Sequence, residues 1–286
     1  MNDLEEIATL LAEPEPSAAA VARGRDRLQR RMRSRRRVGW FVPGVALVAA
    51  GAAAAVVLTT GAPTNDGAPV TGKDVLLMAA VSAERTPQGP GTYWHVTRQS
   101  STPDGPRMES WTRRDGKRWI KGMPGDLPDA VITAPAWKTL SLKGAKVTFG
   151  ELERLPTDPE ALKKWIIDRK GNENDMSASE IHGDPTFTLL ALIMGLPAPA
   201  EVRSAAFRAL AATPGVENAG AVEGGQRLRF PYPGGGKDIE LVVDPEKALV
   251  TRSNLVITDD GDLAWDDRLI SLTTEWTDRL PPVKKS

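Results

Sequence analysis

Residues 91–120 read GTYWHVTRQSSTPDGPRMESWTRRDGKRWI, and this stretch decides the fold class. Trp94 and Val96 alternate with His95 and Thr97, a period of two that belongs to a strand with one face buried. Residues 103–106 (Pro-Asp-Gly-Pro) turn the chain, and Trp111 falls in a second strand. Asp115-Gly116 is a strong hairpin signal before Trp119 and Ile120 in a third. The stretch therefore predicts an antiparallel meander carrying Trp on its faces.

Toward the C-terminus, residues 123–156 are less regular, with one strand predicted at 145–149. Residues 157–160 (Thr-Asp-Pro-Glu) have capping-box spacing and lead a helix bearing Leu162, Trp165 and Ile166. Asp184-Pro185 opens a helix over 186–194. Pro197 and Pro199 separate it from another over 202–212, with Val202, Ala206 and Leu210 inward. Strands follow at 226–230, 237–244, 249–258 and 263–277, joined by turns at 234–236, 244–246 and 259–261. The order of meander, helices and meander defines an α+β domain rather than alternating β-α units.

Toward the N-terminus, Thr71 and Asp74 have capping-box spacing before a helix running to about residue 84, with Val75, Leu76, Ala79 and Ala80 inward. Residues 61–72 read as a linker, which leaves 73–286 as the folded domain. Before the linker, residues 38–60 contain no charged side chain and would span roughly 34 Å as a helix, enough for a bilayer core. Nine Arg lie within 23–37, and Arg35, Arg36 and Arg37 abut Trp40 at the apolar boundary, where cations and aromatic rings favour the headgroup level. A soluble core helix is rarely charge-free for so long. A cleaved signal peptide fits poorly, because the apolar run is long and Pro63 follows the small-residue site at 60–62. We read 38–60 as a transmembrane helix, with 1–37 in the cytoplasm and 61–286 outside.

The balance of 37 basic and 37 acidic residues is thus a sum across a membrane. Residues 1–37 carry nine Arg against six acids, and residues 61–286 carry 28 bases against 31 acids. The Arg block serves topology and attraction to anionic lipid, so the bilayer is the expected partner and direct nucleic-acid binding is not. Leu4, Ile7, Leu10 and Leu11 recur at helical spacing in a segment too short to be stable alone. They are candidates for contact with a cytoplasmic partner or a membrane surface.

Signals for chemistry are sparse. There is no Cys, which excludes disulfides, thiol nucleophiles and Cys-ligated metals. His95 and His182 read as structural rather than as a ligand pair. Residues 233–237 (Pro-Gly-Gly-Gly-Lys) fail as a phosphate loop, because Pro231 and Asp238 occupy its defining positions. Asp259, Asp260, Asp262, Asp266 and Asp267 lack calcium-loop spacing. No catalytic, metal or cofactor residues are assigned. Seven of the eight Trp lie beyond the apolar run. They read either as plain core or as the lining of an apolar groove for lipid or peptide, with Trp94, Trp111, Trp119 and Trp276 as the groove candidates.

The stretches Gly91-Thr-Tyr-Trp-His-Val, Leu155-Pro-Thr-Asp-Pro-Glu-Ala-Leu, Ala205-Ala-Phe-Arg-Ala-Leu-Ala, Pro214-Gly-Val and Leu241-Val-Val-Asp-Pro resemble a family of actinobacterial single-pass membrane proteins of unknown activity. Members are often encoded beside extracytoplasmic-function sigma factors. The resemblance implies envelope sensing or regulation, with a sigma factor or other cytoplasmic regulator as partner. The segment around Val243-Asp-Pro245 is also similar to half-barrels of the lipoprotein-carrier type, which implies a curved sheet with packed helices. Unlike zinc-type anti-sigma domains, this chain has no His/Cys cluster. The expected function is non-catalytic sensing or binding by the outer domain. A membrane-tethered lipid or lipoprotein carrier, or a carboxylate-based envelope hydrolase, is the alternative.

Overall fold

The computed structural model describes residues 69–86, 89–102, 105–123, 130–232, 237–257 and 263–284. The segment 1–37 expected in the cytoplasm, the predicted span at 38–60 and residues 61–68 lie outside the described residues. Among the described residues, no helix is long and apolar enough to cross a membrane.

Helix α1 (Gly72–Arg85) starts where the sequence places it, with the Thr71 hydroxyl accepting from Asp74 N–H and the Asp74 carboxylate accepting from Thr71 N–H. Strands β1 (Tyr93–Gln99), β2 (Arg107–Arg113), β3 (Arg118–Lys121) and β4 (Val131–Ala134) form the first meander. A small hairpin, β5 (Leu140–Leu142) and β6 (Ala145–Val147), leads into four helices: α2 (Phe149–Leu152), α3 (Pro159–Asp168), α4 (Ala178–Ile181) and α5 (Thr186–Met194). Helix α6 (Ala200–Ala211) closes the helical section. The second meander comprises β7 (Glu217–Val222), β8 (Gly225–Phe230), β9 (Ile239–Asp244), β10 (Leu249–Ile257) and β11 (Leu263–Thr277).

The two meanders are one sheet. Its nine strands run in the order β4-β3-β2-β1-β11-β10-β9-β8-β7, so the first strand pairs with the last and every neighbouring pair is antiparallel. The α+β class and the large antiparallel sheet expected from residues 91–120 are present. One face of the sheet packs on helices. Trp94 and Val96 on that face belong to the same core as Leu76 and Ala79 of α1 and Val202, Ala206 and Leu210 of α6. All nine residues of α5 are buried, so this apolar helix is covered on every side, and it packs against α6 and β10. The free edge of β4 is closed by the chain end, where Lys284 N–H donates to Val131 O at 2.9 Å.

Local details depart from the sequence reading where side-chain caps outcompete strand patterns. The strand expected at 145–149 stops at Val147, because Thr148 caps α2 through a reciprocal pair of bonds with Glu151. Helix α3 is capped by Asp158, which accepts from Ala161 N–H at 2.8 Å; Thr157 makes no such cap, and Pro159 takes the first helical position. Strand β7, absent from the sequence reading, is an edge strand whose residues are mostly exposed and carry no apolar alternation.

Candidate functional site

A cavity of about 420 Å³ opens between the helix-side face of β1 and β2, the segment that carries β5, and the loop after α5. Strand alternation aims Trp94 and Val96 of β1 into it, together with Ser110 and Thr112, their register neighbours on β2. The opposite wall is Trp137, Leu140 and Phe149, and Leu196 closes one end.

The two indoles of this site are held in different ways. Trp94 Nε1 donates to Gly195 O at 2.8 Å, which ties the sheet to the C-terminal end of α5. Trp137 lies under the Arg118 guanidinium, 3.9 Å from ring centroid to Cζ. Its backbone N–H donates to Gly116 O at 2.8 Å. Gly116 has φ +85°, and a Cβ there would lie 2.1 Å from Trp137 O. The Asp115-Gly116 turn therefore both reverses the chain and admits the Trp137 backbone.

Charge around the cavity is one-sided. Arg98, Lys138 and Lys146 line it, and no acidic residue does. The hairpin that carries Lys146 is anchored at its tip, where Lys143 Nζ donates to Ile167 O at 2.6 Å and Asn172 N–H donates to Gly144 O at 2.8 Å. On the far side of β5 lies a second cavity of about 340 Å³, lined by Phe187, Tyr232 and Trp265. Ser141 lines both cavities, so β5 divides them. The buried Glu180 in the second cavity is saturated: it accepts from Thr188 Oγ1 at 2.8 Å, from Ser177 N–H at 2.9 Å and from Ser177 Oγ at 2.8 Å. Its work is to cap α4 and tie α4 to α5.

The four Trp expected to share one groove are separated. Trp94 and Trp276 are register partners on the helix-side face, with ring centroids 5.5 Å apart. Only Trp94 of these two lines the cavity; Trp276 lies under the Arg114 guanidinium at 4.0 Å. Trp111 and Trp119 pair with each other across β2 and β3, and Trp111 pairs with His95. They occupy the opposite face, where His95 stacks on Trp111 at 4.7 Å and Tyr93 meets Trp119 edge-on at 5.5 Å. The one-residue offset between Trp94 and His95 decides this, because adjacent strand residues point to opposite faces. Trp137, which does line the cavity, sits in the irregular stretch where periodicity gave no signal.

Both imidazoles have local partners. His95 lies between Glu109 at 3.1 Å and Glu275 at 3.3 Å, and His182 Nδ1 is 2.6 Å from Ala178 O. Asp267 pairs with Lys237 at 3.2 Å. Among the described residues, no group of three His, Asp or Glu is placed to hold a metal ion. Residues 233–236 and 258–262 lie outside the described residues, as do Leu4, Ile7, Leu10, Leu11, Arg35, Arg36, Arg37 and Trp40.

The fold is that of an α+β domain with a large antiparallel sheet, and the cavity lies against the helix-side face of that sheet. No protein-family model matches this chain, and no curated protein or solved structure matches it.

Proposed function

We propose that this chain is a non-catalytic, single-pass membrane protein whose extracytoplasmic domain binds an apolar small ligand. The observation that carries the reading is the cavity between Trp94 and Trp137, whose volume lies within the usual ligand-pocket range of ~300–1,000 Å³. Trp94, Val96, Leu140 and Phe149 give it apolar walls, and the bond from Trp94 to Gly195 O and the guanidinium over Trp137 hold both indoles in place, as a preformed site requires. Tethering rests on the charge-free run at 38–60 behind nine Arg, which orients the N-terminus to the cytoplasm. A half-barrel arrangement accords with the nine-stranded antiparallel sheet carrying helices on one face and with the complete burial of α5.

Coupling to a sigma factor or another cytoplasmic regulator is supported by the family resemblance and by the apolar stripe Leu4, Ile7, Leu10 and Leu11. Purification of the intact protein from its own membranes tests both halves. A cytoplasmic partner that co-purifies and is lost in Leu4→Asp or Ile7→Asp, together with a bound apolar ligand, supports a sensor. Retained lipid with no partner favours a tethered carrier. A reporter fused after Ser286 should be active only outside the membrane, and cytoplasmic activity would reject the topology.

A further inference from the structure

The chemistry of the ligand can be read from how the first cavity distributes charge, an inference that rests on the cavity being the ligand site. The domain beyond the apolar run is slightly acidic, with 28 bases against 31 acids. Its cavity nevertheless has three basic side chains and no acidic one. Lys138 and Lys146 are exposed at the hairpin side of the cavity, and neither is engaged in an ion pair among the described residues. The deeper walls, Trp94, Val96, Leu140 and Phe149, are buried and apolar. Cationic rim and apolar floor together fit a molecule with an acid at one end and hydrocarbon at the other.

Volume narrows the class further. The cavity of about 420 Å³ lies near the lower end of the roughly 300–1,000 Å³ range of small-ligand pockets, a size suited to an amphiphile with one short chain. We propose that this chamber binds a single-chain anionic amphiphile of the fatty-acid class. Its chain lies between Trp94 and Trp137, and its carboxylate is at Lys138 and Lys146.

The test uses the full-length protein in phosphatidylcholine nanodiscs, with empty discs as the blank. Three ω-brominated dodecyl probes are titrated: the carboxylate, the alcohol and the trimethylammonium. Bromine quenches indole emission on contact, and a Trp40→Phe background removes the indole at the membrane boundary, so that saturable quenching reports probe bound in the outer domain. The carboxylate should bind roughly five-fold more tightly than the alcohol, with the ammonium weakest. The double variant Lys138→Glu, Lys146→Glu should lose this preference while its affinity for the alcohol stays unchanged, which also reports an intact chamber. Equal affinity for all three probes, or a preference that survives the double variant, overturns the anionic assignment but leaves a binding chamber. Absence of saturable quenching by every probe overturns the chamber as well.

Discussion

Trp94 Nε1 donates to the carbonyl of Gly195 at 2.8 Å, joining the first strand of the sheet to the end of a helix 101 residues later. The same indole forms a wall of the 420 Å³ cavity. One bond thus fixes both the seat of α5 on the sheet and the shape of the chamber. Trp94→Phe keeps most of the ring but deletes the donor. It should cost about 1–2 kcal/mol, read from the urea midpoint, and Trp94→Ala about 3–5 kcal/mol. A cost near zero for Trp94→Phe would show that the bond contributes nothing.

The two faces of the sheet should separate in binding experiments. Trp137→Ala removes a chamber wall and should weaken ligand affinity at least about ten-fold. Trp119→Ala lies on the opposite face and should leave affinity within about two-fold, whatever it costs in stability. Titration of both variants with one ligand decides the matter. A loss confined to Trp119→Ala would restore the groove first expected from sequence.

The β5–β6 hairpin depends on a backbone conformation that few residues tolerate. Gly144 has φ +62°, and a Cβ there would lie 2.5 Å from Asn172 O. Gly144→Ala should therefore destabilise by about 1–3 kcal/mol and loosen the strand that carries Lys146. Faster hydrogen exchange at residues 140–147 with unchanged exchange in β8–β10 would localise the effect. Uniform exchange across the domain would contradict it.

Acid should weaken the helical layer. The Ser204 hydroxyl and the Arg208 guanidinium hold the Glu84 carboxyl below the ordinary carboxylate range. Bonds from Thr71 do the same to Asp74, and bonds from Thr148 do so to Glu151. Each folded-state value lies below the unfolded one. The stabilisation is therefore complete above the unfolded value of about 4 and is lost as pH falls through the folded values. Thermal midpoints should be flat above about pH 5 and decline below it. Glu84→Gln should flatten part of that decline, and an unchanged profile in this variant would exclude the α1–α6 link as a source.

Arg203 of α6 is buried, and desolvation pushes its guanidinium down to about 10. Its Nη2 donates to Ala248 O at 2.5 Å, in the turn between β9 and β10. Arg203→Ala leaves that carbonyl without this donor and opens a void, for an expected loss of about 2–4 kcal/mol in chemical denaturation. A change below about half a kcal/mol would mean that water replaces the guanidinium at no cost.

Much of the fold is legible in local signals. The Trp94/Val96 alternation, the Asp115-Gly116 turn, the Thr71/Asp74 cap and the long strand Leu263–Thr277 all lie where sequence places them. The joining of the two meanders through β1 and β11 is not legible, because it depends on pairing between residues such as Trp94 and Trp276 that no local pattern connects. The site was half legible. Abundance of Trp marked the sheet, but face assignment required register, and Trp137 is positioned by Gly116 and Arg118 rather than by periodicity. The basic rim was hidden because Lys138 and Lys146 come from an irregular segment and a three-residue strand.

Ligand retention by the chamber is the most direct measurement. Full-length protein taken from its native membranes is exchanged into nanodiscs, and native mass spectrometry compares it with Val96→Trp, which fills the cavity from its β1 wall. The wild-type chain should carry about one small apolar ligand per molecule, and Val96→Trp should carry none while losing no more than about 1–3 kcal/mol of stability. Equal ligand content in the two proteins, or no bound molecule in either after incubation with total membrane lipid, would contradict a binding chamber between Trp94 and Trp137.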